Sequence, residues 1–419
     1  MPVPARPSSA EAQVVRSEQP RQTAPAVSDA AIQQLVDGNT AFAFRMYHQM
    51  QQRNGNIFFS PWSISEALAM VDSGAQGSTA AEIAQTLHFT LPPEQLHPAF
   101  NAVALRLARY DAAQGSDEPR FQLSIANALW GQTGYPFRQP FLDTLAENYG
   151  AGMHVQNFKA EPEQARAAIN AWVSDQTANK INNLLPQGSV NMATRLVLTN
   201  AIYFNAKWQS PFRASSTSDG TFTLLDGSTI SVPMMQQAHS FRYAAGDTYE
   251  AIELPYAVPG NEGGMSMLIL LPKAGQFQSF EQALDEAQLN AIMSSLKPNH
   301  LELTMPKWTF TSQSVSLKQV LTTLGMKDAF DANTADFGGM TDTAQTDEKI
   351  SISDVFHKAF VAVDEEGTEA AAATGAVMGA TSAAPPKTQM IIDHPFIFLI
   401  RDQATGSVLF LGRTTDPRG

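Results

Sequence analysis

Cysteine is absent from the sequence. That excludes disulfides, thiolate nucleophiles and zinc sites built on sulfur, and leaves histidine and carboxylates as the only side-chain metal donors. The absence does not fix a compartment, because a chain this long buries enough apolar surface to need no covalent staple. Long apolar runs are also missing: no stretch of about 18 apolar residues exists to cross a membrane, so no membrane partner is expected. Basic residues are scarce, with 27 Lys and Arg against 40 Asp and Glu, a formal net charge of −13. A surface of that sign repels phosphate backbones, so nucleic acid is not an expected partner. The 8 histidines are scattered without ligand spacing, and no cofactor or metal is expected. No G-x-S-x-G elbow, H-E-x-x-H pair or phosphate loop occurs, so the chain is not read as an enzyme.

What is present is a large apolar inventory: 419 residues, 43% hydrophobic and 16% charged. Nothing resembles a flexible interdomain linker, so one domain is expected from residue 28 to 419. Residues 1–27 carry five prolines among Ala, Ser, Gln and Arg. They lack the apolar core of about 7–15 residues that a secretory signal needs and are read as a disordered tail.

Ser28 is a candidate N-cap, followed by Ile32, Leu35, Val36, Phe42 and Met46 near helical spacing. Further helices are expected over Ser63–Met70, Ala80–Leu87 and Glu161–Ile181. Strands are expected over Phe121–Trp130, Leu196–Phe204, Met265–Leu271 and Leu301–Phe310. Phe396–Ile400 and Val408–Leu411 read as a hairpin about Thr405-Gly406. Helices dominate the first half and strands the second, which argues for an α+β class.

The informative stretch is Val361 to Pro386, VAVDEEGTEAAAATGAVMGATSAAPP. It starts strand-like, then becomes a run of Ala, Thr and Gly that ends at Pro385-Pro386 before a new strand near Met390. A flexible linker would be polar and glycine-rich, whereas this segment is rich in alanine. Its alternate residues Thr368, Ala370, Ala372 and Thr374 are small on the face that a strand would bury, so it can slide between neighbours without a steric block.

Glu365-Glu366-Gly367-Thr368-Glu369 with Ala370, Ala371, Ala372, Ala373 and Thr374 resembles the reactive-loop hinge of inhibitory serpins. Met390 to Ile400 (MIIDHPFIFLI), Asn56 to Ser63 (NIFFSPWS), and Thr199 to Phe204 with Lys207-Trp208 resemble further signatures of that family, in the family's order. The resemblance spans roughly residues 29 to 415. It implies a serpin fold of three β-sheets and about nine helices with an exposed reactive-centre loop. It also implies a suicide-substrate inhibitor: a protease cuts the loop, forms an acyl-enzyme, and is trapped as the freed arm inserts into the main sheet. The hinge would be Glu365, Gly367, Thr368 and Ala370 to Ala373. Trp208, Lys307 and Glu365 would form the breach at the top of the sheet, and Ser60, Ser63, Asn200 and His357 the mid-sheet shutter.

Counting from the hinge places the scissile bond at Thr381-Ser382. Counting back from Pro385-Pro386 gives Ser382-Ala383, and Met378 is an outlying alternative; the hinge count is preferred because arm length sets insertion. From Gly367 to Thr381 is about 15 residues, or roughly 50 Å as a strand. No Arg or Lys lies between Gly367 and Pro386, so the expected target is an elastase-like or subtilisin-like serine protease, with a cysteine protease as a further candidate. The inhibitor would act as a monomer. The family is often extracytoplasmic, although no signal peptide is visible here. The alternative is a non-inhibitory serpin, a chaperone or carrier whose loop is cleaved without trapping.

Overall fold

A computed structural model describes residues 13–112, 121–257, 264–342, 348–368 and 388–419. Among these, nine α-helices occur: α1 (Asp29–Met50), α2 (Pro61–Asp72), α3 (Gly77–Leu87), α4 (Pro93–Ala112), α5 (Gln139–Thr144), α6 (Pro162–Gln176), α7 (Phe277–Ala283), α8 (Glu286–Ser295) and α9 (Lys318–Leu324). Local chemistry sets several ends. The Ser28 hydroxyl accepts from the Ala31 N–H at 3.2 Å and starts α1. Ser60 caps α2 in the same way, with Pro61 at the first helical position, where its missing N–H is harmless. Helix α6 stops at Gln176, short of the expected Ile181, because Ala178 and Asn179 take left-handed φ of 49° and 62°.

The first sheet runs β1 (Gln13–Val15), β4 (Met153–Gln156), β3 (Phe121–Gln132), β5 (Leu196–Lys207), β14 (Gly367–Thr368), β13 (Ile352–Val363) and β11 (Trp308–Thr311), with β12 (Val315–Ser316) also on β13. The second runs β15 (Thr388–Ile391), β10 (Lys297–Pro306), β7 (Thr229–Ala245), β8 (Tyr249–Pro255), β9 (Met265–Pro272), β16 (Phe396–Asp402), β17 (Val408–Thr414) and β2 (Ile57–Phe59), with β6 (Ser218–Thr223) on β7. The α+β class and the multiple sheets are as expected. The hydrogen-bonded networks number two among the described residues, because the 17-residue β7 pairs with β6 and β10 and runs on to β8. The expected single strand over Leu301–Phe310 is two: β10 ends at Pro306, and β11 departs to the first sheet.

Every residue of β9 and β17 is buried, which suits their largely apolar sequences, and the buried Arg413 of β17 pairs with Glu281 at 2.8 Å. Phe398 and Phe410 lie on either side of Phe58, with ring centroids 5.7 and 5.1 Å away. The β16–β17 hairpin turns at Gly406, φ 82°, where Asp402 accepts from the N–H and hydroxyl of Thr405 at 2.8 and 2.6 Å.

Residues 13–27 correct the expectation of a disordered tail. Gln13–Val15 pairs antiparallel with β4. The Ser17 hydroxyl donates to Asp143 at 2.5 Å, and Arg21 Nε donates to Asn101 Oδ1 at 2.9 Å. Gly152 lets the segment pass, since a Cβ there would sit 2.8 Å from the Val15 carbonyl oxygen. Three strand residues among prolines carry too little pattern to be read as a strand. Removing residues 1–27 strips the sheet of its edge strand and is expected to lower the unfolding temperature by about 2–6 °C, as measured by differential scanning calorimetry.

Candidate functional site

The first sheet has a seam at its centre. Strands β5 and β13 run parallel and pair directly from Leu196↔Ile352 to Tyr203↔Phe360. Above Tyr203 they part, and β14 fills the gap, antiparallel to both: Gly367 lies opposite Lys207, and Thr368 lies opposite Ala206 on one side and Val363 on the other. Gly367 is required by close approach, since a Cβ there would sit 2.1 Å from the Ala206 carbonyl oxygen. Helix α6 covers the outer face of the sheet and packs Ile169 and Val173 with Val197, Ala201 and Phe356.

The chain reverses into the seam through a tight turn. The Asp364 carboxylate accepts from the N–H groups of Glu366 and Gly367 at 2.9 and 3.2 Å, and the Asp364 N–H donates to the Gly367 carbonyl at 2.9 Å. The turn is moored to its surroundings. Trp208 donates its backbone N–H to Glu366 O at 2.8 Å and its indole N–H to Asp364 O at 3.0 Å. Lys307 Nζ lies 2.7 Å from Glu365 Oε2, and the Thr217 hydroxyl donates to Oε1 at 2.7 Å. Burial pushes the Glu365 carboxyl up, but the hydrogen bonds from Lys307 and Thr217 outweigh it and hold the group below the usual carboxylate range. The structure thus brings together the expected breach residues Trp208, Lys307 and Glu365.

Lower in the seam, a buried polar chain ties four elements together. The Ser60 N–H donates to His357 Nε2 at 3.3 Å, so Nε2 is an acceptor and the ring proton sits on Nδ1, which donates to Asn200 Oδ1 at 2.5 Å. Asn200 Nδ2 donates to Ser63 Oγ and to Asn127 Oδ1, both at 2.6 Å. The assigned tautomer requires a neutral ring, and burial pushes His357 down to about 3. The expected shutter residues Ser60, Ser63, Asn200 and His357 are therefore joined.

Two members of this chain were not anticipated. Asn127 on β3 lies opposite Asn200 and donates to Glu66 Oε2 at 2.9 Å. The only sequence signal for it is an asparagine in the middle of the apolar strand FQLSIANALW. Glu66 faces a cavity of about 440 Å³ that is also lined by Arg21, Asn127 and Tyr149. Burial pushes its carboxyl up to about 7, against the attraction of Arg21. Among the described residues no group of three potential metal ligands exists. Ala370 to Ala373, Thr381 and Ser382, with the Met378 alternative, lie outside the described residues.

This architecture defines an α+β protein whose main sheet is parted at the top by the first residues of a loop. The chain belongs to the serpin family: the family model described as serpin (serine protease inhibitor) matches residues 37–417. It is 38% identical over 387 residues to an uncharacterized serpin-like protein of Thermococcus kodakarensis, covering 92% of this chain and 86% of that one. It is 38% identical over 397 residues to leukocyte elastase inhibitor A of Mus musculus, covering 92% of this chain and all of that protein (100%). Among solved structures, uncleaved ovalbumin is similar with a TM-score of 0.79 at 28% identity, covering 91% and 100% of the two chains. A highly specific serpin of the insect Tenebrio molitor gives 0.77 at 32% identity, covering 92% and 98%. The family is described as one of serine protease inhibitors, and the chain is not itself an enzyme.

The neutral His357 sets a pH dependence. The unfolded chain takes up a proton below about pH 6.5, whereas the folded ring resists to about 3, so this residue withdraws stability as pH falls through that window. The stability advantage of wild type over His357→Gln is expected to be constant above pH 6.5 and to shrink by roughly 1.4 kcal/mol per pH unit below it. Denaturant unfolding of the two proteins from pH 8 down to about pH 4 reads the difference directly.

Proposed function

We propose that the protein is a suicide-substrate inhibitor whose loop, once cut, inserts along the β5–β13 seam. The observation that carries this reading is β14, a strand already seated antiparallel between two strands that elsewhere pair in parallel. Parallel pairing is slightly the weaker arrangement, and an inserted strand replaces one parallel ladder with two antiparallel ones. Continuing the register of Thr368 down the seam brings Ala370 opposite Phe204, Ala372 opposite Ile202, and Thr374 level with both Asn200 and His357. All three newcomers are small, and the Thr374 hydroxyl arrives where the direct Asn200–His357 hydrogen bond must open.

In the chemistry of trapping, the protease serine oxygen attacks the Thr381 carbonyl carbon and forms an ester. The C–N bond to Ser382 breaks, and the departing amine takes a proton from the protease's general acid. Insertion then competes with hydrolysis of that ester. A bait of Thr381, Ala380 and Gly379 without any basic residue suits a protease with a small, uncharged specificity pocket, elastase-like or subtilisin-like. The leukocyte elastase inhibitors among the relatives support that choice. The molecule acts as a monomer on one protease.

Incubation with an elastase-like protease is expected to give an SDS-resistant complex and a released C-terminal fragment beginning at Ser382 by mass spectrometry. Trypsin is expected to give none. Thr368→Arg, which would bury an unpaired charge in the seam, is expected to be cleaved while losing at least about nine-tenths of the complex. Cleavage of wild type without any complex would instead support a non-inhibitory serpin.

A further inference from the structure

Tyr256 lies just beyond β8 and presents its hydroxyl to the seam from the second sheet. Its ring stacks on Trp208, with centroids 4.7 Å apart and planes within 10°, and meets Phe204 edge-on at 5.1 Å. Its backbone N–H donates to Met265 O at 2.8 Å. These contacts hold the ring without using Thr368. The hydroxyl reaches Thr368 Oγ1 at 2.8 Å, and among the described residues this is its hydrogen-bond partner. Both side chains are buried, Thr368 completely.

We propose that Tyr256 is a positioning residue for inhibition, its hydroxyl latching Thr368 into the seam so that insertion starts from a fixed register. This rests on the insertion reading above. A Thr368 withdrawn from the seam would leave a buried hydroxyl without a partner, so the Tyr256 O–H favours the seated hinge. Burial pushes the Tyr256 hydroxyl far up from the ordinary tyrosine value, which keeps it protonated.

The seated hinge has two opposing consequences. Insertion needs no fresh nucleation, which favours trapping over ester hydrolysis. Two residues of arm are held back, about 6–7 Å of strand, which restricts how freely the bait meets a protease. Releasing the latch should therefore speed association and reduce trapping efficiency together, a split that a general loss of stability does not produce.

The test uses full-length wild type, Tyr256→Phe, Thr368→Val and the double variant, each titrated against an elastase-like serine protease. The number of inhibitor molecules consumed per protease trapped and the association rate constant are both measured. One neutral hydrogen bond biases a partition by about two- to tenfold. Each single variant is expected to raise consumption per trapped protease by at least about twofold and to raise the association rate. The double variant is expected to match the singles, because both remove the same bond. Wild-type trapping with Tyr256→Phe indistinguishable from it, or a double variant whose effects multiply, would overturn the latch alone. Cleavage of wild type without trapping would overturn the insertion reading and the latch with it.

Discussion

The parallel alignment of β5 and β13 is the constraint from which the rest of the molecule follows. Two long strands in one direction at the centre of a mixed sheet leave a place for a strand running the other way. The first residues of the loop already occupy the top of that place, at Gly367 and Thr368. Under the insertion proposed above, a better-paired sheet becomes available once the chain between Glu365 and β15 is cut.

Two sets of polar contacts hold the seam in its native arrangement, and they differ in kind. At the top, Glu365 is held by Lys307 and Thr217 close to the surface. An ion pair in such a position is worth little by itself, and its role is to fix the chain direction into β14. In the middle, Ser60, His357, Asn200, Ser63 and Asn127 form a continuous buried chain of hydrogen bonds. Breaking one link there leaves a buried polar group unpaired, at a cost of about 1–3 kcal/mol. The mid-seam chain is therefore the stronger barrier to parting. In the insertion proposed above, the Thr374 hydroxyl would take over some of those bonds.

Much of this was legible in the sequence because the relevant residues impose strong local signals. The small residues Thr368, Ala370, Ala372 and Thr374 read as a segment able to slide between strands, and its first two described residues, Gly367 and Thr368, are a strand. Leu196–Phe204 and Met265–Leu271 read as strands and lie within β5 and β9, and Ser28 marked the first helix. The hydrogen-bond partners of Asn200 were less legible. Asn127 sits one strand away, and nothing in its local sequence separates a network asparagine from one facing solvent. The edge strand Gln13–Val15 was hidden because its stability comes from β4 and from the space at Gly152, which lie far along the chain. The division of Leu301–Phe310 at Pro306, and the seating of Thr368 against Tyr256, are tertiary facts of the same sort. Hydrophobic periodicity reports which face is buried and does not report which element covers it.

The central claim is that a severed loop finds a lower free-energy position inside the sheet than outside it. Thermal unfolding of the intact protein and of the same protein after cleavage within residues 376–383 tests this most directly. About a dozen new backbone hydrogen bonds at roughly 1 kcal/mol each should raise the unfolding temperature of the cleaved form by about 10 °C or more. Equal unfolding temperatures for the two forms would contradict the account.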